Sequence, residues 1–143
     1  MISVLQRVSS ASILINGDLY SSINQGLLIL LGICSDDDEL VIRKNAEKIA
    51  YLRIFADKKN KMNLSVKDVK GEILVVSQFT LCADTKKGNR PSFISAMEPK
   101  KAEEFYELFI SEFKDHQIPV KSGVFGAMMD VELVNDGPVT III

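Results

Sequence analysis

Two short stretches of this chain combine residue types that could do chemistry. Ser77-Gln78-Phe79-Thr80 sets three hydrogen-bonding side chains directly after an apolar, strand-like run, Ile73-Leu74-Val75-Val76. Near the other end, Asn135-Asp136-Gly137-Pro138-Val139-Thr140 wedges a Gly-Pro pair between two further strand-like runs. Proline removes a backbone donor, and glycine is used where the backbone bends sharply or lies close to something else. An X-Pro bond can also be cis at low cost, usually in a tight turn. The N–H groups of Phe79 and Thr80 could donate to a carbonyl or an oxyanion. Together the two stretches suggest a site built largely from backbone, although each alone also fits an ordinary strand exit or turn.

Few other side chains compete for a catalytic role. The single histidine, His116, follows Lys114 and Asp115 at the end of an amphipathic segment, the place of a solvated helix C-cap. A Ser-His-Asp or Cys-His arrangement would need it as the base, and nothing in the sequence brings it near Ser77, Thr80 or Cys82. Thr80 could act as a nucleophile, but no base that would activate it is evident. No His, Cys and Asp cluster has metal-ligand spacing. Gly123-Val124-Phe125-Gly126 lacks both the P-loop lysine and the dinucleotide-binding pattern. Neither a metal nor another cofactor is expected. Cys34 and Cys82 read as reduced core thiols of a cytoplasmic protein, with a disulfide left open.

Composition narrows the classes. The 143 residues suit one domain, 1–143, long enough to bury a proper core. Seventeen basic and nineteen acidic residues leave a net charge of −2, so any polyanion must be held by a local patch rather than by overall charge. Lys58, Lys59 and Lys61 on one loop, with Lys86, Lys87 and Arg90 on another, form either such a patch or a solvated surface. Met1 to Ser10 lacks the basic start of a signal peptide, and the apolar run Gly26 to Cys34 is far below the roughly 20 residues that cross a bilayer. Neither a membrane nor DNA is expected as a partner.

The elements that must position these stretches follow from periodicity. Ile2 to Val8 alternates in part like a strand, and Ile13-Leu14-Ile15 meets Asn16-Gly17, a strong hairpin signal. Gly26 to Ile33 suits a central strand. Asp36-Asp37-Asp38 offers N-cap oxygens to a helix running to about Tyr51, with Ile42, Ala46, Ile49 and Ala50 on one face. Leu52 to Phe55 reads as a short strand, and Glu72 to Leu81 as a longer one. Pro99 suits the first position of a second helix, which would bury Ala102, Phe105, Tyr106, Phe109 and Phe113. Met129 to Leu133 alternates like a half-buried strand, and Val139 to Ile143 reads as a last apolar one. The expectation is one α+β domain with a mostly antiparallel sheet and two principal helices. An apolar strand at the C-terminal edge is a liability unless covered, which hints at a dimer.

At the two stretches singled out, the chain resembles the D-aminoacyl-tRNA deacylases, the family first described as D-tyrosyl-tRNA deacylases. Ser77-Gln78-Phe79-Thr80 is similar to the first signature of that family, and Asn135 to Thr140 to the second. Supporting matches include Gln6-Arg7-Val8, Leu52-Arg53-Ile54-Phe55, Lys61-Met62-Asn63, Gly88-Asn89-Arg90-Pro91-Ser92-Phe93 and Gly123-Val124-Phe125-Gly126-Ala127. Either signature alone is weak, whereas both in order in a chain of this length are specific. The resemblance implies a barrel-like core and a homodimer with active sites at the subunit interface. It implies a cis Gly137-Pro138 that enters the partner's pocket and leaves no room for the side chain of an L-aminoacyl group.

The implied substrate is the ester between a D-amino acid, or glycine, and the 3′-terminal adenosine of tRNA. The implied chemistry is attack by water assisted by the ribose 2′-hydroxyl. Ser77, Gln78, Phe79 and Thr80 would shape the pocket and orient the ester; Phe125, Ala127 and Met129 would form its wall, and Arg7 would brace the Gly-Pro segment. Lys86, Lys87 and Arg90 are candidates for contact with tRNA. Two departures stand out: Met128 replaces a residue that is often polar or acidic, and Cys82-Ala83 replaces a commoner aromatic-glycine pair. Three other readings stay open: a related deacylase with a trans Gly-Pro and relaxed chirality, a conventional esterase using Thr80 or Ser77, and a non-catalytic RNA-binding or dimeric scaffold.

Overall fold

Leu27, Leu28, Ile29 and Leu31 are all buried, which makes Gly26–Gly32 the central strand. A strand covered on both faces reads as a continuous apolar run rather than as an alternation. The computed structural model describes every residue, Met1–Ile143. In chain order the elements are β1 (Ile2–Ile15), β2 (Asp18–Ile23), β3 (Gly26–Gly32), α1 (Glu39–Ala50), β4 (Phe55–Ala56), β5 (Met62–Leu64) and β6 (Glu72–Ser77). A short 3-10 helix, Phe79–Cys82, precedes α2 (Pro99–Asp115), β7 (Val120–Ser122) and β8 (Asp130–Ile142).

The main sheet runs β2-β1-β3-β6-β7, with β8 also paired to β1. The long strand β1 organises it. Its first half pairs antiparallel with β3 and its second half with β2, while the other edge pairs with β8 for most of its length. Strands β3, β6 and β7 run parallel to one another. The two ends of the path are tied together, because Ser21 Oγ donates to the Ser122 carbonyl at 3.1 Å and Lys121 Nζ donates to the Ser22 carbonyl. The sheet is therefore a nearly closed, barrel-like layer, and the domain is α+β.

Alternation along β3 and β6 splits the core in two. Leu27, Ile29, Leu31, Ile73 and Val75 face the helices, meeting Ile42, Ala46 and Ile49 of α1 and Phe105, Phe109 and Phe113 of α2. Leu28, Leu74 and Val76 face the opposite side, with Val8, Ala11 and Ile13 of β1. Truncating Phe109 or Phe113 to alanine would cost about 3–5 kcal/mol. Asp38 caps α1 by accepting from the Val41 N–H at 2.8 Å. Pro99 opens α2, and His116 is its C-cap, packed edge-on against Tyr51.

Several expected elements differ in extent. The two N-terminal segments are one strand, β1, hinged into two partnerships. The segment from Leu52 retains only Phe55–Ala56 as strand, paired with β5. The strand expected from Glu72 to Leu81 stops at Ser77, and Phe79–Cys82 coils into the 3-10 helix. Gly32 permits this: a Cβ there would stand 2.8 Å from Leu81 Cβ and 3.0 Å from the Gln78 carbonyl oxygen. The largest difference is at the C-terminus, where Gly137-Pro138 is not a turn between two strands. β8 continues through it, with Val8 opposite Asn135 and Gln6 opposite Thr140, so three extra residues bulge from the ladder.

Candidate active site

The first signature forms the floor of a cavity. The Gln78 N–H donates to the Leu31 carbonyl at 2.7 Å, anchoring the end of β6 to β3. Behind it, the buried Tyr106 hydroxyl donates to the Val75 carbonyl at 2.9 Å. The 3-10 helix then lifts Phe79 and Thr80 to the surface, where both are exposed. Its first N–H groups, those of Phe79 and Thr80, have no acceptor within the helix and remain as donors.

The cavity encloses about 750 Å³, within the range of small-ligand pockets. Ser77, Gln78, Phe79 and Thr80 line it together with Phe125, Ala127 and Met129. Seven sequence-selected residues thus converge from two distant segments. The structure adds residues that sequence reasoning did not assign: Phe93, Met97, Glu98, Pro99 and Ala102 form another wall. Phe93 packs edge-on against Phe79 with ring centroids 5.1 Å apart. The only earlier signal for this wall was Phe93 in the matched Gly88–Phe93 segment. Met128 also lines the cavity but is 92% exposed at its mouth.

Activation of a protein nucleophile finds little support here. Gln78 Nε2 donates to Thr80 Oγ1, and an amide nitrogen cannot take the threonine proton. Burial, aided by the neighbouring Cys34, pushes the Cys82 thiol up to about 12, so it stays protonated at neutral pH. Cys34 and Cys82 are free thiols in mutual contact. Burial likewise raises Tyr106 well above the ordinary phenol value. His116 is remote from this wall, at the far end of α2. The cavity offers amide donors, a hydroxyl and apolar walls.

The second signature lies elsewhere. Asp136, Gly137 and Pro138 are exposed and do not line the cavity. They are nevertheless firmly held. Arg7 Nε donates to the Asp136 carbonyl at 3.0 Å and approaches its carboxylate at 3.1 Å, while Arg7 Nη1 donates to the Ile54 carbonyl at 2.6 Å. Asn135 closes the bulge by accepting from the Val139 N–H at 2.8 Å and donating to Thr140 Oγ1 at 3.2 Å. Gly137 has φ +133°, and a Cβ there would lie 2.9 Å from Val139 Cγ2 and 3.0 Å from Arg7 Nη2. Only glycine fits. The Gly137–Pro138 peptide is cis. Arg7 therefore sits with Gly137 and Pro138, as a brace, and apart from the seven cavity residues.

The basic residues divide between two loops. Lys86, Lys87 and Arg90 are exposed on the 84–92 loop, whose base is closed by reciprocal Asp84–Ser92 backbone bonds of 2.8 and 2.9 Å. That loop joins the cavity-lining 3-10 helix to Phe93. Lys58, Lys59 and Lys61 occupy the β4–β5 hairpin. Asp57 fastens this hairpin by accepting from the Lys59 and Lys61 N–H groups and from Asn63. These bonds, the Asn63 contact foremost, hold its carboxyl below the ordinary aspartate value. No helix is long and apolar enough to cross a membrane.

Comparison with known proteins identifies the family. The family described as D-Tyr-tRNA(Tyr) deacylase matches over residues 4–143. A D-aminoacyl-tRNA deacylase of Dictyoglomus turgidum is 54% identical across all of this chain and 92% of its own length. One from Thermodesulfovibrio yellowstonii is 52% identical across all of this chain and 98% of its own. Among solved structures, a protein described as c-Myc DNA Unwinding Element Binding Protein superimposes with a TM-score of 0.94 at 41% identity, covering 100% of this chain and 97% of that one. A protein described as a probable eukaryotic D-amino acid tRNA deacylase shares the fold at 18% identity, with a TM-score of 0.86 over 99% of this chain and 97% of that one. The chain belongs to the D-Tyr-tRNA(Tyr) deacylase family and is a hydrolase of the D-aminoacyl-tRNA deacylase class.

Proposed function

We propose that the protein edits tRNA charging by rejecting L-aminoacyl groups rather than by gripping D-side chains, and that it does so as a homodimer in the cytoplasm. The observation that carries this reading is the separation of the two signatures. One protomer has a cavity with amide donors and a rigid, exposed Gly137-Pro138 that lies outside it. In the proposed assembly, that segment enters the cavity of the partner subunit. Its backbone then occupies the space that the side chain of an L-aminoacyl group would need. Glycine has no side chain to exclude, so glycyl-tRNA is a second substrate.

Hydrolysis then proceeds with shape from the protein and a proton carrier from the RNA. The aminoacyl group lies against Phe125, Ala127 and Met129, and the ester carbonyl accepts from the Phe79 and Thr80 N–H groups. The ribose 2′-hydroxyl of the terminal adenosine orients and helps deprotonate a water molecule, which attacks the ester carbon. The bond to the ribose 3′-oxygen breaks, that oxygen takes the proton given up by the water and relayed through the 2′-hydroxyl, and free tRNA and the amino acid leave. Amide donors aimed at the developing oxyanion stabilise the intermediate without changing protonation state. Lys86, Lys87 and Arg90 hold the tRNA electrostatically.

Two substitutions, one in the protein and one in the substrate, test the chemistry. Thr80→Ala should change deacylation of D-tyrosyl-tRNA by less than about tenfold, whereas a 2′-deoxy terminal adenosine should slow it by about 10²- to 10⁴-fold. The reverse pattern would establish Thr80 as a nucleophile and overturn the RNA-assisted route. Sedimentation of the purified protein should give a dimer.

A further inference from the structure

Between residues 86 and 101 the chain carries five cations, Lys86, Lys87, Arg90, Lys100 and Lys101, against one acid, Glu98. All five are exposed. None takes part in an ion pair; those present join Met1 to Asp37, Arg7 to Asp136, Arg43 to Glu39 and Glu112, and Lys121 to Glu72. Glu98 spends its carboxylate oxygens on backbone, accepting from the Lys100 and Lys101 N–H groups at 3.1 and 3.2 Å. Glu104 stands one turn after Lys100 and does not pair with it. Lys101 instead lies across the Phe105 ring, 5.3 Å from its centroid.

These cations adjoin, along the chain, residues that line one cavity. Lys86, Lys87 and Arg90 ride on the loop between Phe79–Cys82 and Phe93, whereas Lys100 and Lys101 fill the gap between Pro99 and Ala102. Phe79, Phe93, Pro99 and Ala102 all line the cavity. Unpaired cations next in the chain to pocket-lining residues of two segments, in a protein of net charge −2, suit a partner that brings several phosphates to that pocket.

We infer that Lys100 and Lys101 form the second arm of a phosphate clamp, so that the RNA strand bearing the ester runs between the 84–92 loop and the first turn of α2. This rests on aminoacyl-tRNA being the substrate of the cavity. The first turn of α2 thereby has two duties: Pro99 and Ala102 face the pocket, and the lysines between them face the backbone of the RNA.

The test compares wild type with Lys100→Gln/Lys101→Gln on two substrates, D-tyrosyl-tRNA and 3′-O-D-tyrosyl-adenosine, which has no phosphate. A Lys44→Gln/Lys48→Gln variant on α1 controls for net charge. The α2 variant should lose about tenfold or more in kcat/KM on tRNA, mostly through KM, and nothing on the adenosine ester. The slope of log(kcat/KM) against log salt should become shallower by about 1.5, from two lost contacts of roughly 0.7 to 0.9 each. An unchanged kcat/KM and slope on tRNA, an equal loss on both substrates, or an equal loss in the α1 control would overturn the inference while leaving the functional reading intact. A wild type inactive on both substrates would remove the functional reading, and the clamp with it.

Discussion

The cavity floor and the Gly137-Pro138 segment are both held by main-chain contacts, but they are built for opposite situations. Ser77 to Thr80 ends a buried strand and lines the cavity, bonded to Leu31 and supported by Tyr106 behind Val75. Asp136 to Pro138 leaves the ladder of β8 and points at solvent, fixed by Arg7 and Asn135. The floor has a cavity in front of it; the outer segment has nothing of its own chain to act on. Exposed backbone this firmly fixed suits contact with a partner, and under the proposed function a single protomer holds half of each site. Chemistry and selectivity are then separable, one carried by each region.

The predictions probe that separation in order of expected effect. Removing the terminal 2′-hydroxyl acts at the floor and should slow hydrolysis by about 10²- to 10⁴-fold, the usual worth of general acid–base assistance; single-turnover deacylation measures it. Gly137→Ala acts on the outer segment. A Cβ at φ +133° carries strain on the order of 1–3 kcal/mol, and relief by shifting the segment should lower the preference for D- over L-tyrosyl-tRNA while leaving the cavity walls intact. Discrimination that survives this change would break the comparison.

Arg7→Ala should weaken the same segment less directly. Losing charge-assisted bonds to Asp136 and Ile54 costs about 1.5–3 kcal/mol, read as a lower Tm and a reduced preference for the D form. Thr80→Ala should change the rate by less than about tenfold, whereas loss of a true nucleophile costs about 10⁴-fold or more.

The smallest effect concerns pH. The Asp57 carboxyl is held below its ordinary value by hydrogen bonds, so its stabilisation is present above the unfolded-state value and is lost as pH falls through the folded one. Amide exchange on acidification should therefore loosen the β4–β5 hairpin, whose entrance Arg7 ties to Asp136, before it loosens the end of β6. In Asp57→Asn the hairpin should no longer respond to acid in this way.

Local physics made much of this molecule legible in its sequence. The helices follow from a 3.6-residue repeat with visible start signals, the cap Asp38 and the first-turn Pro99, and the β1–β2 hairpin follows from Asn16-Gly17. Both signatures were readable as backbone features, and their membership in one family was readable from their order. The sequence does not display what depends on distant partners. Strand β8 passes through Gly137-Pro138 because β1 lies beside it on both sides of the bulge, so two apparent strands are one. Residues Phe79–Cys82 coil because Gly32, far earlier in the chain, leaves room for them. The wall from Met97 to Ala102 borders the cavity only through packing of α2, and its residue types resemble any helix start.

The central claim is that the outer segment rejects the wrong enantiomer and that the floor hydrolyses whatever is admitted. Initial rates of deacylation of D-tyrosyl- and L-tyrosyl-tRNA by the purified protein, at equal concentrations and fixed salt, test it most directly. The account predicts rapid release from the D form and a rate on the L form no greater than that of spontaneous hydrolysis; equal rates on the two would contradict it.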